Sequence, residues 1–292
     1  TLFFLLYLNF LYLKFTFYLY YMSCSKNINS LKIGIAISTY SEEKTDQSRY
    51  AIIEKSLHSL QNILKTCPLN VYVVLVVDGP IPQKHTQILN KFDFPIHQKK
   101  VNGGVARAKN TSIRLLLEQN IDLGFLADDD VLYKPNCIEK YVNVIQKGNI
   151  HHIGFCQMHP LVHPKNEWKK FGYIKTLVND VEVMKHGGGG VGCWLSFTPE
   201  LIKKIGYFKV MEGKYGYEHI NFTHRCIHHK MIPHAIDIVD PFSYMDHIGF
   251  EPIGYNTFKK SHSISEETRI CENQKNKNVW NKNLNLFVEC IE

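Results

Sequence analysis

The chain has 292 residues, of which 45% are apolar and 21% charged, so a disordered chain, a collagen-like fibre and a coiled coil are excluded. Its 34 Lys and Arg against 27 Asp and Glu leave a formal charge of +7. No run of five or six basic residues occurs, which argues against nucleic acid as a partner, and the mild positive balance suits a phosphorylated small molecule.

Residues 1–21 stand apart, with seven Leu, five Phe and five Tyr. A run of about 20 apolar residues can span a bilayer as a signal-anchor helix. The rival reading is favoured: Leu, Phe, Tyr, Asn and Lys are what A/T-rich non-coding DNA yields on translation, the chain opens on Thr1, and the first Met is Met22. The expected location is cytoplasmic, with membrane anchoring through residues 1–21 as the alternative. The eight cysteines form no CxxC pair and are widely spaced, which predicts reduced thiols and no zinc knuckle.

From Leu31 the chain alternates strand and helix. Leu31–Ile37 is a short apolar run that ends in Ser38-Thr39-Tyr40, as a buried strand does. Ile53, Leu57, Leu60 and Leu64 lie on one helical face over 49–65, and Pro68 follows. Val71–Val77 is the clearest strand, closed by Asp78-Gly79-Pro80. Strand, helix, strand is the unit of a parallel sheet. Gly103-Gly104 opens a helix to about Gln119, Leu123–Ala127 is a strand, and a helix follows Pro135. The polar clusters fall after strands, where open α/β sheets bind ligands.

The second half is less regular. A strand is expected within 151–158, a flexible loop at Gly187–Gly190, a strand at Cys193–Thr198 and, with Pro199 at its first turn, a helix Glu200–Ile205. Beyond about 250 the chain reads as a polar surface tail with a helix around Val279–Phe287.

Two segments carry chemistry. Asp128-Asp129-Asp130 directly follows an apolar strand; adjacent carboxylates repel unless a cation neutralises them, and their oxygens suit Mg²⁺ or Mn²⁺. Upstream, Asn102-Gly103-Gly104-Val105-Ala106-Arg107-Ala108-Lys109-Asn110 sets glycines and then basic residues at a helix start, where backbone N–H groups favour anions. It is neither a Walker loop nor a GxGxxG fingerprint.

In this order the motifs resemble the family 2 group of nucleotide-sugar glycosyltransferases. They are Ser-Thr-Tyr after the first strand, Val-Asp-Gly-Pro after the second, NGGVARAKN and LADDDV. Gly206-Tyr-Phe208, Tyr215-Gly-Tyr-Glu218-His219-Ile-Asn221 and Arg225 follow. The GYEH segment also resembles galactosyltransferase-type sites. The resemblance covers about 31–247 and implies an α/β, GT-A-like domain with a mostly parallel sheet at 31–250, between an apolar leader and lead-in at 1–30 and a tail at 251–292.

It also implies roles. Thr39 and Tyr40 would line the uridine pocket and Asp78 would bond the base or ribose. Arg107 or Lys109 would serve the base or diphosphate. Asp128 would face ribose and metal, with Asp129 beside it in the donor site, and Asp130 would bind the metal. Trp194 would form part of the sugar and acceptor wall, with core packing as the equal alternative. His247 would be the third metal ligand, with His262 and His234 behind it. Inverting members take the acceptor proton with a carboxylate in their E-D segment. Here that segment is Glu218-His219, so either residue is a candidate base, Glu218 slightly favoured; a His base is reasonable because its ordinary pKa of about 6.5 is near working pH.

The expected activity is inverting transfer of a hexose or N-acetylhexosamine from a UDP-sugar to a glycan, lipid or protein hydroxyl, with Mn²⁺ or Mg²⁺. The altered Glu218-His219 segment also admits a non-catalytic nucleotide-sugar or glycan-binding protein of the same fold. A nucleotidyltransferase ranks last, for want of a basic glycine-rich loop after the first strand. The sequons Asn110-Thr-Ser and Asn221-Phe-Thr fall inside the motifs, where glycans would obstruct the site, which speaks against a secretory lumen.

Overall fold

A computed structural model describes residues 28–43, 45, 47–155, 169, 172–187, 191–248 and 266–292. The 1–21 leader, Met22, residues 156–158, Gly188–Gly190 and His262 lie outside the described residues.

Strands β1 (Lys32–Thr39) and β2 (Asn70–Val77) pair in parallel along their whole length, from Lys32↔Asn70 to Thr39↔Val77. Both faces of this pair are covered, which is why Ile33, Ile35, Ala36 and Ile37 form one unbroken buried run. Helix α1 (Gln47–Leu64) makes the crossover and buries Ile53, Leu57 and Leu60. Helix α2 (Gln83–Leu89) leads to β3 (Ile96–Gln98), parallel to β2. Helix α3 (Val105–Glu118) leads to β4 (Leu123–Asp128), which lies parallel to the other side of β1 with Ser38 opposite Asp128.

β5 (Val131–Tyr133) and helix α4 (Cys137–Gly148) follow, and then β6 (Gly154–Phe155). β9 (Val191–Phe197) runs antiparallel to β4 and β6, completing a six-stranded sheet of order β3-β2-β1-β4-β9-β6. The result is an α/β layer structure with a mostly parallel central sheet. A small antiparallel sheet holds β7 (Ile174–Val178), β8 (Val181–Lys185) and β10 (Ile236–Ile238). β11 (Met245–His247) pairs with β5. Helix α5 (Pro199–Ile205) has Pro at its first turn, and the Thr198 hydroxyl accepts the Leu201 N–H. Helix α6 (Glu218–His228) completes the domain's second half.

The tail differs from expectation. Its helix, α7, spans Glu266–Lys277, and the residues expected to be helical, 279–287, are not: 279–285 form turns. The chain then returns to the domain: Val288 bridges Gly206, the Tyr207 N–H donates to Val288 O at 2.9 Å, and Asn110 Nδ2 donates to Ile291 O at 3.0 Å. Among the described residues no helix is long and apolar enough to cross a membrane.

Candidate active site

The polar clusters gather at the carboxyl ends of β1, β2 and β4. Because Ser38 is in register with Asp128, Thr39 falls beside Asp129 and donates its hydroxyl to that carboxylate. Arg49, in the first turn of α1, donates to Asp129 and reaches Asp130 at 3.4 Å. Lys109, fully buried on α3, donates to Asp128 at 2.6 Å and to the Ala127 carbonyl at 3.0 Å. His247 Nε2 lies 3.2 Å from Asp130 Oδ1. Each carboxylate of the acidic turn thus has its own cationic or imidazole neighbour, which answers the mutual repulsion. Burial pushes the Asp129 carboxyl up, and Arg49 opposes that rise.

Below this turn His85 bridges Thr39 (2.9 Å) and Ser41 (2.5 Å). Burial lowers its imidazole to about 4, so near neutral pH the ring is uncharged and donates through one nitrogen only.

Asp78 is engaged differently from the expected base or ribose contact. Its carboxylate accepts the N–H groups of Gly103 (3.1 Å) and Gly104 (2.9 Å), and Lys99 pairs with it at 2.8 Å. The Val105 N–H goes to the Lys214 carbonyl. The helix start that would favour an external anion therefore holds an internal one. Gly104 adopts φ 85°, and a Cβ there would press on Lys214.

The third part of the site is the Glu218-His219 segment at the start of α6. Burial pushes the Glu218 carboxyl up to about 7; the Asp128 carboxylate adds to the rise and Lys109 opposes it, which places Glu218 within electrostatic reach of the acidic turn. His219 Nδ1 lies 3.1 Å from Glu218 Oε1. Burial, then Lys109, holds the His219 imidazole well below its ordinary value, so near neutral pH the ring beside the carboxylate is uncharged. Gly192 on β9 lies against the ring, and any Cβ there would run into it.

For a divalent cation, the residues fit in part. Among the described residues no three His, Cys, Asp or Glu side chains gather as a ligand group. Asp130 and His247 do converge, because β11 pairs with β5 and sets His247 opposite Val131. A carboxylate and an imidazole 3.2 Å apart suit two positions of one Mn²⁺ or Mg²⁺ that takes its remaining ligands from phosphate and water. Asp128, also expected at the metal, is turned to Lys109. His234 is exposed, one position before the residues leading into β10.

Four residues expected in the donor site have other partners. Thr39 and Asp129 are buried and bonded to each other, to His85 and to Arg49, so they support the site from beneath. Trp194 is 0% exposed, stacked on Phe125 at 4.5 Å, with Tyr133 and Tyr141 edge-on; it belongs to the core and not to a sugar wall. Arg107 donates to the Glu292 carbonyl. Tyr40 is half-buried and directly follows β1. Both sequon asparagines are buried: Asn110 bonds the backbone of Phe208, and Asn221 the Trp280 carbonyl.

Arg49, His85 and Lys99 were not singled out from sequence. Arg49 carried a signal, since it stands four residues before Ile53 on the buried face of α1.

Carboxylates with cationic partners at the carboxyl ends of a mostly parallel sheet, in an α/β layer structure, fit a glycosyltransferase of the GT-A type. The chain belongs to glycosyl transferase family 2, whose model matches residues 35–206. It is 37% identical over 265 residues to an uncharacterized glycosyltransferase of Acanthamoeba polyphaga mimivirus, covering 90% of this chain and 96% of that protein. Among solved structures it is similar to S. aureus TarS 1–349 in complex with UDP-GlcNAc (16% identity, TM-score 0.49, 76% of this chain and 61% of that one). It is also similar to the same protein in complex with UDP (19% identity, TM-score 0.46, 72% and 58%). The chain spans less than two thirds of the length of these structures.

Proposed function

We propose that the chain transfers a hexose or N-acetylhexosamine from a UDP-sugar to a hydroxyl acceptor, with inversion at the anomeric carbon. The observation that carries this reading is Glu218: a buried carboxyl pushed up to about 7, where a general base works best near neutral pH. Glu218 takes the acceptor proton as the hydroxyl oxygen bonds to the anomeric carbon, and the bond from that carbon to the diphosphate oxygen breaks. His219, whose Nδ1 lies 3.1 Å from that carboxylate, would orient it. The UDP moiety of the donor is suggested by the ligands named for the TarS structures, and the +7 balance agrees with a diphosphate.

Asp130 and His247 would hold a Mn²⁺ or Mg²⁺, which would stabilise charge on the departing diphosphate. Asp128, steadied by Lys109, lies at the end of β4, where it can face the donor's ribose. Tyr40, just after β1, would line the uridine pocket. The protein is expected to act in the cytoplasm.

The test is a panel of UDP-sugars with Mn²⁺ and simple glycoside acceptors. Metal-dependent transfer or donor hydrolysis by the wild type, lost in Asp130→Ala, supports the reading. Absence of both turnover and metal-dependent UDP binding by calorimetry sinks it. Tight UDP-sugar binding without turnover points instead to a binding protein of this fold.

A further inference from the structure

Helix α7 lies beyond the residues matched to the family and carries none of the site residues above. It is also an unusual helix. Among its described side chains Asn276 alone is buried, and no residue of α7 belongs to the hydrophobic core. Helices normally dock by burying an apolar stripe. This one docks through polar groups, and the contacts of Glu272, Asn273 and Asn276 meet on one loop.

That loop, Gly213–Tyr217, runs directly into Glu218. Asn276 Oδ1 accepts the Gly213 N–H at 2.9 Å, and its Nδ2 donates to the carbonyls of Gly213 (3.0 Å), Gly216 (2.9 Å) and Tyr215 (3.3 Å). One turn earlier, Glu272 Oε2 accepts the Lys214 N–H at 2.6 Å. The loop comes so close that a Cβ on Gly213 would meet the Glu272 carbonyl, and one on Gly216 (φ 94°) the Asn273 side chain. Just past α7, Trp280 stacks on Tyr217 with centroids 6.1 Å apart, and its carbonyl accepts from Asn221. Tyr217, at φ 67°, is the residue before Glu218.

On its other side the same loop is tied to the turn that Asp78 organises. The Lys214 carbonyl accepts the Val105 N–H at 3.0 Å, and Asn102 Nδ2 donates to the Tyr215 hydroxyl at 3.3 Å. The strip leading to Glu218 is therefore held between α7 and the start of α3.

We infer that residues 266–280 are a clamp that seats Glu218, with Asn276 as a positioning residue acting through the backbone of Gly213–Tyr217. The inference rests on the reading of Glu218 as the base. Its physical ground is geometric: displacing a reacting group by about 1 Å can cost on the order of 100-fold in rate. A buried amide with four bonds to one loop fixes that loop far better than an apolar contact, and it does so without touching the donor side.

The test compares full-length wild type, Asn276→Ala and Asn276→Asp, the last keeping the acceptor for Gly213 and losing the donors. Three quantities are read: amide hydrogen exchange at 213–217, kcat, and KM for the UDP-sugar. For Asn276→Ala, exchange at 213–217 rises about tenfold or more with β1, β2 and β4 unchanged. In the same variant kcat falls roughly 10- to 100-fold and donor KM stays within about twofold. Asn276→Asp falls between wild type and Ala. A kcat within about twofold of wild type in the Ala variant overturns the inference, as does a loss carried by donor KM. If the Ala variant does not fold, the Asp variant is judged by the same criteria. If wild type turns over no donor, the reading of Glu218 fails on its own account, and the exchange arm decides the clamp: unchanged protection at 213–217 overturns it.

Discussion

Arg49 and Asp129 form a buried ion pair beneath the acidic turn, one from the first turn of α1 and the other from the end of β4. Taking two charges out of water is expensive, and the penalty is met only while both are present. Arg49→Met therefore leaves Asp129 buried and uncompensated and should cost about 3–5 kcal/mol, read as a lowered urea midpoint. Adding Asp129→Asn should return part of that loss, because the charge that Arg49 balanced is then gone as well. A double variant no more stable than Arg49→Met alone would show that the pair is not what holds the turn.

Glu218 sets a second expectation. Its carboxyl is pushed up to about 7, so it is protonated and useless as a base in acid and becomes competent as pH rises. kcat/KM should climb through about pH 7 and then level. Glu218→Gln should lower kcat by on the order of 10²- to 10⁴-fold and remove that limb. A variant that keeps its rate and its limb assigns the base elsewhere.

The relation between sequence and structure differs across the chain. The parallel core was legible because Ile33–Ile37 and Val71–Val77 are continuous apolar runs, and such runs lie buried on both faces of a sheet. The acidic turn was legible for the same reason, following its strand directly. What Asp78 and Trp194 touch was not. A carboxylate after a strand reads alike whether it faces a ligand or caps its own Gly103–Gly104 turn, and an aromatic in a strand reads alike on either face. The pairing of His247 with Asp130 depends on β11 lying beside β5, a contact more than a hundred residues apart. Helix α7 was misplaced because its single buried residue, Asn276, leaves no apolar period to read.

Gly192 gives a prediction about packing. A methyl group at this position would enter the space of the His219 ring. Overpacking typically costs about 1–3 kcal/mol, and here the yielding group is the ring 3.1 Å from the Glu218 carboxylate. Gly192→Ala should lower thermal stability modestly and kcat by roughly tenfold or more, with donor KM little changed. If stability falls and kcat does not, His219 is a packing residue and not an orienting one.

The last prediction concerns Asp130 and His247. Burial alone would lower the His247 imidazole, but the Asp130 carboxylate against it holds it above its ordinary value. A protonated ring cannot ligate a cation, so metal and proton compete for it. Mn²⁺ affinity in the presence of UDP should therefore weaken as pH falls, with the loss beginning above about 6.5, the usual imidazole value. His247→Ala should weaken Mn²⁺ binding by on the order of tenfold or more, and should flatten that pH dependence. Titrating Mn²⁺ by electron paramagnetic resonance reads both effects without any turnover. Because Asp130 keeps a contact with Arg49 at 3.4 Å, removing His247 does not strip the carboxylate of all its partners, and the variant should remain folded. Unchanged affinity in His247→Ala would leave Asp130 as the cation's ligand without the imidazole, and the pairing of β11 with β5 would then be structural.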